Sequence, residues 1–497
     1  MARYTVAGPP HIHAEVLRRI LDEIRRSVGR RAAEPSPTQP TQPARKPGAQ
    51  AALRAGNLRD ALAELAQELS AGADTPELQR LLMAGLVDLA RRNQDAGTHE
   101  KIAFLLGTAM LSKDDVAGAE LCARARDGAR GLDMQAYRIE PSLPDWCRRA
   151  GLPVLDVPGW EVQPMSPGAP VPETGTAAFA CALRPGRVLG TSFIPATADG
   201  VAFTERCIHR PDKVGQFEAN EVVDTVQLGT ANRLLVGSRG TDRHAGVHVL
   251  LGSSDNAGHW LLNYFSRLPM VQAVPGIESA RFLVGPDVRP MQLDCLARAG
   301  IPAERVLRLA PGRIAEFEEL WVPAMPYGFV GGPVLCLAPA VFGYIRRTLQ
   351  LEFSRPRTRR VFLSRAAARW RRLINESAVL AEIADLGFEV VDPGMLTLAQ
   401  QIELAATAQV IAGPMGAGMN LLLFAAEGTP VVTIKGPVKG MMDIDPFLTR
   451  ELKQPYFPVV GTSLPNHPDP LRRDIEATPS LVREAMLQAI SATTQRR

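Results

Sequence analysis

The sequence is short of several things, and each shortage removes a class of function. Aromatic residues make up 5% of the 497, too few for a surface on which successive bases stack. Lys and Arg number 56 against 52 Asp and Glu, a formal charge of +4, which is too weak a footprint for nucleic acid. The six cysteines (Cys122, Cys147, Cys181, Cys207, Cys295 and Cys336) show no CxxC spacing. Neither a zinc site nor a disulfide framework is therefore expected, and a reducing, intracellular setting is the simpler reading. The N-terminus has no uninterrupted apolar stretch, and no window approaches the ~20 apolar residues of a membrane span. These absences point to a cytoplasmic chain, peripheral to a membrane at most. What is present, 46% apolar and 22% charged residues, is the composition of an ordinary globular protein with room for about three domains.

Residues 1–50 read as a basic helix followed by a linker. His11–Ala32 places Val16, Leu17, Ile20, Leu21 and Ile24 on one helical face with arginines around it. Such a helix either lies on an anionic membrane surface or packs on a neighbouring domain or partner chain, and the sequence leaves both readings open. Glu34–Gln50 is Pro-rich without large apolar residues, so it is expected to be an extended linker. Residues 51–140 are Ala- and Leu-rich at helical spacing, and Gly56–Leu62 is loosely echoed by Lys113–Leu121. The separation of the two echoes departs from the ~34-residue tetratricopeptide period, so a small helical bundle or short solenoid for docking is expected.

The rest alternates strands and helices. In residues 141–340 a Pro- and Gly-dense connector (Pro141–Pro172) precedes the extended segments Arg187–Pro195 and Arg233–Gly237. Strand Val247–Gly252, helix His259–Leu268, strand Arg281–Val284, helix Met291–Ala299 and strand Val306–Leu309 then form a βαβαβ unit. Residues 341–497 hold a second one. Strand Val361–Leu363 runs into Ser364-Arg365, a helix opens at Asn375, and strand Val390-Val391, helix Leu398–Ala406 and strand Val410–Ala412 follow. The fold class expected is α/β, with two Rossmann-like units facing a cleft after a helical N-terminal region. Ligands of such sheets sit beyond the carboxyl ends of the strands.

The chemistry gathers at those ends. Strand Val410–Ala412 runs into Gly413-Pro414-Met415-Gly416-Ala417-Gly418 and then into the helical run Met419–Ala425. A glycine loop between strand and helix offers backbone N–H groups to an anion; taken alone, a tight packing turn is about as good a reading. Arg365 stands at the end of its strand beside Ser364, where a guanidinium can fork onto phosphate oxygens. Arg371 and Arg372 follow, and Arg369 and Arg372 read better as solvated charges. Asn375 and Glu376 have a plain account as helix cap and first-turn acid.

The segments SRAAARWRRLINE, GFEVVDP and AQQIELAATAQVIAGPMGAGMNLLLFA resemble the C-terminal half of glycosyltransferase family 61, whose members include capsular polysaccharide biosynthesis proteins. GHWLLNYFSRLP (Gly258–Pro269) is similar to that family's N-terminal signature, and RIAEFEELWVP to the connection after it. The resemblance implies a GT-B type transferase that moves a hexosyl or pentosyl group from a nucleotide-sugar to a glycan acceptor, with inversion, in surface or capsular polysaccharide synthesis. It places the donor on Ser364, Arg365, Arg371, Asn375, Glu376, the loop Gly413–Gly418 and Asn420. An inverting transfer needs a general base for the acceptor hydroxyl; Asp255 and His259 are the candidates, and Arg267 falls on the acceptor side. Each of the two also reads plainly, Asp255 as a helix cap and His259 as a satisfied, partly buried histidine. The sequence departs from the family pattern at two places. Met415 stands where the loop usually carries His, and Asn263 where an acidic residue is common. Met415 is expected to keep the turn but to remove a donor from the leaving diphosphate. The family generally lacks a metal-binding DxD, and Asp443-Ile444-Asp445 reads as a loop, so no metal is expected. The alternative is a non-catalytic sugar-nucleotide or glycan-binding subunit tethered through its N-terminus.

Overall fold

A computed structural model describes residues 133–494, except 141, 167–168, 170, 173–174, 209–222, 225–232, 331–333, 438–444 and 468–469. The expected basic helix 11–32, the linker 34–50, residues 51–132 of the expected helical region 51–140 and Asp443-Ile444 lie outside the described residues; the end of that region, Asp133–Glu140, is a strand of the large sheet rather than a helix.

The second unit forms a five-stranded, wholly parallel sheet. Its spatial order is Phe388–Val391, Arg359–Leu363, Ala408–Pro414, Val431–Lys435, Tyr456–Val460. Parallel strands need crossovers, and the crossovers cover both faces, so these strands are apolar on both sides. Val361 and Leu363 face one core with Leu404, Leu422 and Phe424, whereas Phe362 faces another with Val379, Val482 and Met486. Numbered along the chain, the strand order is 2-1-3-4-5. It reverses between Arg359–Leu363 and Ala408–Pro414, the place where doubly wound sheets bind ligands.

Helix Leu398–Ala406 is found with the bounds expected, held by a capping box between Thr397 and Gln400. The helix after Asn375 spans Glu376–Glu382. Asn375 does not cap it: its side chain clips the C-terminal segment, with Nδ2 donating to the Ala477 carbonyl (2.7 Å) and Oδ1 accepting from the Ala477 amide (3.2 Å). A partner about a hundred residues away is invisible to local cap reasoning.

The first unit is more than a Rossmann half. Strands Val306–Arg308, Arg281–Val284, Thr241–Leu250 and Ile314–Pro323 are parallel neighbours. The sheet continues past Ile314–Pro323 through antiparallel strands, including Phe179–Leu183 and Gly186–Leu189, to twelve strands in all among the described residues. RIAEFEELWVP, expected as a connection, is itself the ten-residue strand Ile314–Pro323, and the two antiparallel strands cover what would otherwise be its open edge.

The helix expected over His259–Leu268 is broken into a single α-turn (Ala257–His259), a π-turn (Trp260–Tyr264) and a 3-10 stretch (Phe265–Val271) that contains Pro269. Proline has no amide donor and clashes with the preceding turn, so a regular helix cannot run through it. One apolar core joins the two sheets: Trp260, Phe265, Tyr344, Ile345, Leu421 and Phe424 belong to it. The five described cysteines are buried free thiols. Among the described residues no helix is long and apolar enough to cross a membrane.

Candidate active site

The strand reversal brings together two chain ends that are about fifty residues apart in sequence. At the first, Ser364 and Arg365 leave their strand in a tight elbow. Glu376 holds it, being buried at 8% exposure and accepting from the Ser364 hydroxyl and from the Arg365 amide at 3.2 Å. The carboxylate read as a first-turn charge is thus also a bracket for the elbow.

At the second chain end stands the glycine loop, and each glycine has a steric cause. A Cβ on Gly413 would come within 2.7 Å of the Leu363 carbonyl, and one on Gly418 within 2.9 Å of Pro393 Cγ. One on Gly416 would overlap the guanidinium of Arg365 and lie 2.9 Å from its Nε. Gly416 is extended, at φ 164°, so its need for glycine is close approach rather than backbone strain. The helix after the loop is 3-10, Ala417–Phe424, and Asn420 turns back to bond the Ala417 carbonyl at 2.7 Å.

Arg365 is therefore set into the loop itself. Its Nε donates to the Arg371 carbonyl (3.3 Å) and its Nη2 to the Trp370 carbonyl (2.8 Å), while Nη1 donates to nothing among the described residues. Burial, with help from the neighbouring Arg371, lowers its pKa to about 10; it remains a cation at neutral pH. A half-buried guanidinium with a spare donor beside a glycine turn is suited to an anionic oxygen. Arg371 has a left-handed backbone, φ 56°, and contributes its carbonyl here. Arg372, read as a solvated charge, instead pairs with the buried Asp474 at 2.7 Å.

Met415 is 5% exposed, and its amide extends the strand pairing to the Ile434 carbonyl at 2.8 Å. Its side chain is buried at the end of this strand. Pro414 ends the same strand opposite Ile434.

The first unit meets the loop through another glycine. A Cβ on Gly258 would come within 2.6 Å of Oδ1 of Asn420, so the turn bearing His259 lies directly on the loop helix. Asn256, not Asp255, caps that turn, accepting from the amides of Gly258 (2.9 Å) and His259 (3.3 Å). His259 lies with Nδ1 3.1 Å from Asn263 Oδ1 and its ring stacked on Tyr327. Arg267 is corrected from the acceptor side to the interior. It is 0% exposed, donates to the carbonyls of Leu250, Leu251 and Cys207, and burial lowers its pKa to about 10. It is a clamp on the end of strand Thr241–Leu250.

A cavity of about 580 Å³ lies between the two units. One wall is Asp255, Ala257 and the start of helix Pro290–Arg298. The other is Pro393–Leu398, Ala417, Gly418 and Leu421. Sequence reasoning missed Pro393–Leu398 as a wall of this cavity, although the segment follows the carboxyl end of strand Phe388–Val391 and strand ends carry ligands in such sheets.

Fold and geometry together define an α/β protein with a cavity beside a strand reversal. Residues 257–432 match the Glycosyltransferase 61 family model, from the turn that bears His259 to the strand beyond the glycine loop. This stretch is what the chain shares with the Glycosyltransferase 61 family. No curated protein matches the chain.

Proposed function

We propose that this protein transfers a hexosyl or pentosyl group from a nucleotide-sugar to a glycan acceptor, with inversion, as a GT-B type enzyme of surface polysaccharide synthesis. One observation carries the reading: the Arg365 guanidinium is set against Gly416 at the strand reversal, with the His259 turn lying on the same loop helix through Gly258 and Asn420. In this reading the donor diphosphate takes Nη1 of Arg365 and the amides of the glycine loop, with Ser364 and Glu376 shaping the elbow. The acceptor enters from the His259 side. The loop and guanidinium, rather than a metal ion, offset the diphosphate charge.

Only interactions that strengthen as the diphosphate leaves accelerate transfer, and a fixed guanidinium is of that kind. Purified protein mixed with UDP-, GDP- and CMP-sugars is expected to show a thermal shift with at least one of them and to turn it over. Absence of any shift sinks the reading. A shift without hydrolysis or transfer leaves a binding protein and removes the transferase.

A further inference from the structure

Gln401 lines the cavity between the two units, yet it is only 9% exposed. Its Nε2 donates to the carbonyls of Pro393 (3.0 Å) and Leu396 (3.1 Å). Main-chain carbonyls only accept, so the amide must turn both hydrogens to them and its oxygen away. That Oε1 accepts from no group among the described residues. The amide cannot turn over, because the loop bearing the two carbonyls is fastened elsewhere. Asp392 accepts from the Gly394 amide at 2.8 Å, and Thr397 and Gln400 form the capping box of the helix that carries Gln401.

The other polar groups of the lining are engaged or solvated. Gln292, also buried, has both ends occupied: Nε2 donates to the Ser254 carbonyl and Oε1 accepts from the Arg289 amide. Asp294 pairs with Arg298 at 3.5 Å, and Asp255 and Arg289 are exposed. The remaining walls are apolar, with Pro290 and Met291 on one side and Pro393, Met395 and Leu396 on the other. Met395 is 82% exposed, a flexible apolar side chain that a ligand can cover. A sugar ring carries hydroxyls around its perimeter, each in need of a partner, which these walls do not supply. A nucleobase is apolar on both faces and polar only along its edge. The cavity also reaches Ala417 and Gly418, next to Gly416 and the Arg365 guanidinium.

We infer that this cavity holds the base of the nucleotide donor and that Oε1 of Gln401 accepts from its ring N–H, which selects uracil or guanine over cytosine and adenine. This rests on the donor reading above. Uracil and guanine carry a hydrogen on the ring nitrogen of the pairing edge. Cytosine and adenine carry a lone pair there, and their amino group reaches a fixed acceptor only with that lone pair drawn beside the same oxygen. A free glutamine would rotate its amide to serve either kind. One held by two carbonyls does not.

Calorimetric titration of the full-length protein with UDP, GDP, CDP and ADP tests this, followed by the best ligand methylated at its ring N–H, N3-methyl-UDP or N1-methyl-GDP. UDP or GDP is expected to bind best, which also tells the two bases apart, with CDP, ADP and the methylated analogue each weaker on the order of tenfold, the scale of one lost hydrogen bond. In Gln401→Met, which keeps the length without the acceptor, the preference over the amino base of the same ring size should shrink toward unity. A methylated analogue as tight as its parent, or CDP or ADP as the best ligand, overturns the proposal with no variant needed. A folded Gln401→Met that keeps the full preference overturns it too. Binding of none of these nucleotides sinks the donor reading itself and the base pocket with it, whereas nucleotide binding without these preferences removes the base pocket alone.

Discussion

Replacing Gly416 by alanine tests the centre of the site without removing a charged group. Its backbone is extended at φ 164°, a conformation open to any residue, so alanine strains nothing locally. The added methyl would occupy the space of the Arg365 guanidinium and stand 2.9 Å from its Nε. To regain ordinary van der Waals separation the guanidinium must move on the order of 1 Å. That displacement disturbs the bonds to the Trp370 and Arg371 carbonyls and takes Nη1 away from the loop. If Nη1 makes one charge-assisted hydrogen bond to the donor diphosphate, the loss is about 1.5–3 kcal/mol. This corresponds to roughly a tenfold to hundredfold weaker Kd.

Calorimetric titration with the donor found in the nucleotide-sugar panel would measure it, alongside Arg365→Ala and the double variant. Both single changes remove the same contact, so the double variant is expected to be no weaker than the worse single one, a plainly non-additive cycle. Native affinity in Gly416→Ala, or additive losses in the double variant, would refute the placement of Arg365 on the diphosphate.

Met415→His is expected to lower stability by about 1–3 kcal/mol, the cost of a buried polar group without a partner, and not to raise turnover; a urea melt and a rate measurement decide, and a faster enzyme of native stability would place this position at the leaving group. Turnover should survive prolonged EDTA treatment unchanged, and a loss restored by a divalent cation would show that a metal shares the diphosphate. Acid should loosen the C-terminal segment through Asp474. Burial opposes the charge of this carboxylate, but hydrogen bonds from the Arg372 side chain and amide outweigh it and hold its pKa below the usual 3.8. Its contribution is therefore complete above that value and lost as pH falls through the depressed one. Asp474→Asn should melt earlier at neutral pH and show a shallower decline in acid, and a parallel decline in both proteins would remove Asp474 from that role.

Periodicity alone was enough for elements whose partners are local. Helix Leu398–Ala406 carries its own cap and apolar stripe, and the strands of the parallel sheet announce themselves because burial on both faces demands unbroken apolar runs. The glycine loop was legible as a tight strand-to-helix turn, but its spacing alone did not separate anion binding from close packing. Tertiary structure decided what each side chain does there. Arg365 and Arg267 are both arginines near strand ends, yet one keeps a donor beside Gly416 while the other is consumed by buried carbonyls. Asn375 answers to Ala477 and Arg372 to Asp474, pairings about a hundred residues long that no local pattern encodes. The broken helix after Asn256 and the buried bond from Asn263 to the Tyr327 carbonyl likewise exist only once the two segments have packed. The chain's own spacing sets which groups are available near the cleft; the direction of each hydrogen bond is set by whichever distant backbone atom folding brings within reach.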